Sequence, residues 1–111
     1  MYFKPDKRQC LILGNFDYAK IRWTEEGKDG NMKEKGFPDL PEVRQDMEVF
    51  SRNIEQYGFG RLDIIQETNL DIASTKEFFN KSKRYIVENA RNFEKTLTVV
   101  YYGGHGMMND N

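Results

Sequence analysis

The sequence predicts an α/β domain on a parallel sheet, with elements in the order strand, helix, strand, helix, strand. Two observations carry this. Short runs of strand length, apolar or β-branched, stand at residues 9–13, 62–66 and 96–102. Between them lie segments whose apolar residues recur at helical spacing. Such alternation joins parallel strands through right-handed helical crossovers. Ligands of such sheets bind at the carboxyl ends of the strands, near a topological switch point.

The first strand, residues 9–13, is apolar on both faces and is closed by Gly14, as suits a buried central strand. Residues 15–38 are rich in charge and hold Gly27, Gly30 and Gly36, so a long exposed loop is expected there. The first helix follows. Val43, Met47, Phe50, Ile54 and Tyr57 form one apolar stripe, Pro41 suits the first turn, Asp39 suits a cap, and Gly58 suits a left-handed stop. Residues 62–66 are read as the second strand, centred on Ile64 and Ile65. Thr68 or Asn69 is expected to cap a second helix with the stripe Ile72, Phe79, Ile86 and Phe93, Thr75, Ser82 and Ala90 filling the face between, ending near residues 89–92. The third strand, residues 96–102, is β-branched and aromatic and runs straight into Gly103-Gly104-His105-Gly106.

The 111 residues suit one small domain or part of a larger one. Seventeen basic against 18 acidic residues give a net charge of -1, which argues against a non-specific nucleic-acid binder. The 8 Phe, 6 Tyr and 1 Trp supply burial that disordered chains lack. The longest apolar runs are as short as residues 10–13, so no membrane span is expected, and the start has no signal-peptide core. A single cysteine forms no internal disulfide, which points to an intracellular, cytoplasmic protein.

His105 is the only histidine. Imidazole titrates near neutral pH and serves as a general acid or base, while flanking glycines leave backbone N–H groups open to an oxyanion. The alternative is a histidine that merely ends a strand in a glycine-rich turn. One cysteine and one histidine do not make a structural zinc site, and the Gly-Gly-His-Gly turn lacks the Lys-Ser/Thr pair of a phosphate loop.

Three blocks resemble the caspase-like cysteine peptidases, and more closely their metacaspase and paracaspase branches: RQCLILGNFDY at residues 8–18, LPEVRQDMEVFSRNIEQYGF at 40–59, and VVYYGGHG at 99–106. They occur in the family's order. The resemblance implies the amino-terminal part of an αβα sandwich that acts as a cysteine-type endopeptidase on polypeptides. His105 matches the catalytic histidine of a Cys–His dyad. Gly106 matches the glycine whose N–H helps form the oxyanion hole. Asp46 matches the aspartate that lines the specificity pocket, where a buried carboxylate selects Arg or Lys before the scissile bond; a solvated helix residue is the alternative for Asp46.

Two departures matter. Leu40 stands where caspases proper carry a pocket arginine, so cleavage after aspartate is not expected. The family's nucleophilic cysteine follows the histidine by roughly 50 residues, beyond Asn111. Cys10 does not replace it: at ~3.3 Å per residue it lies about 13 Å below the edge where His105 is expected. The chain alone is therefore expected to be inactive and to need the rest of the domain or a partner subunit. No cofactor is read from the sequence. Calcium enters only through the resemblance, and no metal-ligand spacing supports it. Two other readings stay open: a non-catalytic caspase-like scaffold or regulatory module, and a small α/β ligand-binding domain.

Overall fold

The computed structural model describes residues 4–105. Its elements are β1 (Lys7–Gly14), β2 (Arg22–Glu26), β3 (Met32–Gly36), α1 (Pro41–Glu55), β4 (Ile64–Thr68), α2 (Ile72–Asn92) and β5 (Thr96–Gly103), with a single 3-10 turn at Arg61–Asp63 before β4. A three-stranded parallel sheet runs in the order β4-β1-β5. The chain leaves β1 to one side for β4 and returns to the other for β5. The switch point thus lies at the carboxyl ends of β1 and β5, where Gly14 pairs with Gly103.

β1 forms the centre because it is apolar throughout its middle, and every residue from Gln9 to Gly14 is buried. Pleating sends Cys10 and Ile12 to one face and Leu11 and Leu13 to the other. α1 covers the first face through Val43, Met47 and Ile54, joined by Phe59. α2 covers the second face, where Phe78 packs with Leu11 and Leu13. The result is three layers, helix on sheet on helix. A Cβ at Gly14 would collide with the Met47 side chain, and one at Gly103 would lie 2.8 Å from Val43 Cγ1. Glycine at these two strand ends lets the first turns of α1 settle onto the edge where a site is expected.

Several expectations are corrected. Residues 15–38 are largely exposed but not a featureless loop, since β2 and β3 pair as an antiparallel hairpin within them and Tyr18 is buried. Asp39 does not cap α1: the N-cap is Leu40, without a side-chain hydrogen bond, and Asp39 Oδ1 instead accepts from the Tyr18 N–H at 2.7 Å. Tyr57 lies beyond the last helical turn and is exposed, although Gly58 does take the left-handed conformation, φ +89°. β4 starts two residues later than expected. Asp63 Oδ2 accepts from the Gly60 N–H at 2.8 Å and folds Arg61–Asp63 into a turn, so pairing with β1 begins at Ile64.

α2 is capped by Asp71, whose side chain accepts from the Ser74 N–H at 2.7 Å, not by Thr68 or Asn69. Asn69 takes a left-handed φ of 54°, and its Oδ1 accepts from the N–H groups of Phe16 and Asp17. The expected stripe on α2 is met only in part: Ser82 is buried and Ile86 packs partly buried against the core, but Ile72, Phe79 and Phe93 are exposed, and Phe78 and Asn89 are buried in their place. No helix of the described residues is long and apolar enough to cross a membrane.

Candidate functional site

The site is assembled at the switch point from the ends of β1 and β5 and the base of the β2–β3 hairpin. β5 delivers His105 two residues past its last strand residue. Tyr18, four residues past β1, and Tyr102 on β5 hold the His105 peptide unit between two hydroxyls. The His105 N–H donates to Tyr18 Oη at 2.8 Å, and Tyr102 Oη donates to the His105 carbonyl at 3.1 Å. Tyr18 is itself buried, and its backbone is tied to Asp39. Gly104 makes this clamp possible, because a Cβ there would lie 2.6 Å from Tyr102 Oη and 3.0 Å from Tyr18 Oη.

The imidazole is fixed as tightly as its backbone. His105 Nε2 lies 2.8 Å from the Pro38 carbonyl oxygen. A carbonyl only accepts, so Nε2 donates its proton there; in the neutral ring Nδ1 then keeps a lone pair. The ring stacks on Phe37 at 4.8 Å between centroids and meets the edge of Tyr18 at 4.6 Å. Phe37 packs in turn on Trp23 of β2, at 5.1 Å. The hairpin thus reaches the histidine through two aromatic rings and one backbone carbonyl. In its neutral form the imidazole therefore has one defined tautomer, with Nδ1 the proton acceptor at the sheet edge.

Asp46 is placed on α1 directly before buried Met47, but it is exposed, with no ion-pair partner among the described residues. It occupies the flank of the buried stripe, so the expected burial of its carboxylate is not met by this part of the chain. The expected oxyanion donor, Gly106, lies outside the described residues. Cys10 is 0% exposed and pairs in register with Val99, six residues before His105. Burial pushes its thiol up to about 11. A thiol that is buried and protonated at neutral pH is neither nucleophile nor metal ligand.

Pro38, Phe37 and Tyr18 were not singled out by sequence reasoning. Pro38 acts through its carbonyl, which every residue type carries, so the sequence holds no signal for it. Tyr18 closes the block RQCLILGNFDY, which is its one available signal. Among the described residues no three His, Cys, Asp or Glu side chains gather to hold a metal ion. No family model, curated protein or solved structure matches the chain.

Proposed function

We propose that this chain carries the histidine half of a caspase-like cysteine endopeptidase site, of the metacaspase or paracaspase kind. One observation carries the reading: His105 stands at the switch point with Nε2–H bound to the Pro38 carbonyl and Nδ1 left as the acceptor. That is what a thiol-activating base requires. Nδ1 takes the proton of a cysteine thiol, the thiolate sulfur bonds to the substrate carbonyl carbon, and the proton passes to the departing amine as the C–N bond breaks. Water then attacks the thioester, its proton going to Nδ1, and releases the carboxylic acid and the thiol. The nucleophile is a cysteine outside these residues, because Cys10 is enclosed by core. Asp46 selects Arg or Lys before the scissile bond, the rest of the domain closing around its exposed carboxylate. The clamp of Tyr18 and Tyr102 fixes the His105 backbone while the Pro38 carbonyl and Phe37 hold the ring, which lowers the cost of orienting it.

The test uses the native polypeptide that contains this sequence, assayed on fluorogenic peptides with Arg, Lys or Asp before the bond. Cleavage after Arg and Lys is expected, with a loss of about 10²–10⁴-fold in kcat/KM for His105→Ala and a weakened preference for basic residues in Asp46→Ala. Long-range ¹H–¹⁵N spectra of His105 are expected to show the Nε2–H tautomer. Cleavage unchanged by His105→Ala overturns the reading, as does cleavage by residues 1–111 alone that Cys10→Ala abolishes. A second reading, a non-catalytic caspase-like scaffold, is favoured by the enclosure of the only cysteine; a native polypeptide with no thiol reactive at its His105 site would select it.

A further inference from the structure

His105 also borders a groove on the α2 side of the sheet that the proton chemistry leaves unused. Two adjoining hollows share Ile21, Leu70 and Ile72 as walls, and the one nearer the sheet edge also reaches Tyr102 and His105. The larger encloses about 730 Å³, within the size of known ligand clefts. Buried Tyr18 and partly buried Leu70 line both hollows, but three further walls are open: Ile72 is 79% exposed, Ile21 47% and, in the smaller hollow, Tyr102 51%. A lone exposed isoleucine is ordinary, but two converging on one cleft beside a fixed imidazole are not.

Charge at the rim narrows the occupant. Lys20 borders one hollow and Lys76 the other. Neither has a carboxylate partner among the described residues. Asp17 and Asp71 also line the hollows, each with one oxygen accepting a backbone N–H, of Ala19 and Ser74; with Arg22 the basic side chains outnumber them three to two. An apolar side chain beside an acidic one therefore fits the groove, the first desolvating the isoleucines and the second meeting the lysines.

We propose that this groove binds a polypeptide segment bearing an apolar residue next to an acidic one, and that the segment is the part of a substrate following the scissile bond. The second half of this statement rests on the peptidase reading; the first does not. Its direction follows from the layers. The amine that receives the proton from His105 lies at the ring, so the chain beyond it must pass one side of the histidine. Asp46, which takes the residue before the bond, is on α1, and α1 covers the opposite face of the sheet. The departing half is left with the α2 side.

The binding test titrates residues 1–111 into fluorescein-labelled hexapeptides with a central Leu-Glu, Ser-Glu or Leu-Lys pair, read by anisotropy. Leu-Glu is expected to bind at least about 10-fold more tightly than either control. Ile72→Asp and Lys20→Glu/Lys76→Glu, all at exposed positions, are each expected to weaken it by a similar factor while melting as the parent does. Absence of binding, or binding indifferent to both variants, overturns the groove. The cleavage test gives the native polypeptide substrates with Arg before the bond and Leu-Glu or Ser-Lys after it. Faster cleavage of the Leu-Glu substrate supports the assignment to the departing half. Equal cleavage of the two overturns that assignment. Binding without any cleavage overturns both that assignment and the peptidase reading, while supporting the groove as a peptide site.

Discussion

Pro38 offers His105 only a carbonyl oxygen, and that single acceptor sets the proton on Nε2. Had the partner been a hydroxyl or an amide, either tautomer would satisfy it. The His105 side of this pair was legible, because glycines on both sides of a lone histidine at a strand end are an unusual combination. The Pro38 side was not, since the contact spans 67 residues and uses a main-chain atom. Cys10 makes the complementary case. Its apolar neighbours already spoke for an inert thiol, and burial raises it from an ordinary value near 9 to about 11. The sign of the pH effect follows. Between these values the unfolded chain binds fewer protons than the folded one, so this contribution is complete below about pH 9 and lost as pH rises through about 11, about 2–3 kcal/mol in all. Urea midpoints compared between the parent and Cys10→Ala are expected to show a steeper alkaline fall in the parent. Parallel curves would mean that the thiol is open to solvent.

The difference between the expected and observed faces of α2 is a difference of element packing. Ile72, Phe79, Ile86 and Phe93 repeat every seven residues and make the more regular apolar line. The buried line is Phe78, Ser82 and Asn89, two of its three members polar. What makes Asn89 acceptable inside is Gln9, itself 0% exposed, whose Oε1 accepts from Asn89 Nδ2 at 2.6 Å while its Nε2 donates to Thr98 Oγ1. This chain of bonds joins β1, β5 and α2, and buried polar groups so paired cost little. A hydrophobic pattern cannot reveal it, because the pairing residues are 80 and 89 positions apart. α1 was legible for the converse reason: Val43, Met47 and Ile54 are apolar and buried, so pattern and packing agree. The test is a pair of adjacent substitutions. Phe78→Ala is expected to cost about 3–5 kcal/mol in chemical unfolding, as a buried aromatic does. Phe79→Ala, at a half-exposed ring, is expected to cost less than about 1 kcal/mol. The reverse order would place the sequence-derived stripe in the core.

At the scale of the molecule, strand order and layer cover combine into one unfinished surface. β1 is paired on both sides, which leaves β4 and β5 as edges among the described strands. β5 is the longer of the two. It is eight residues long, and one of its faces is covered where Leu97, Val99 and Tyr101 pack toward α1. On the other face α2 reaches Leu11 and Leu13 of β1, but Val100 stays 61% exposed. An edge that is long, bare at Val100 and Tyr102 and free of proline is a template for another strand. Residues 1–111 alone are therefore expected to associate, with a sedimentation coefficient that rises with concentration. Val100→Lys should lower that tendency without lowering the melting temperature. A lysine at this exposed position removes no core contact, while two copies pairing along β5 would have to bring like charges together in a partly dry interface. Association untouched by Val100→Lys would shift the contact to β4, whose Ile64 and Ile65 are only partly buried, and Gln66→Lys would then be the substitution that disperses it.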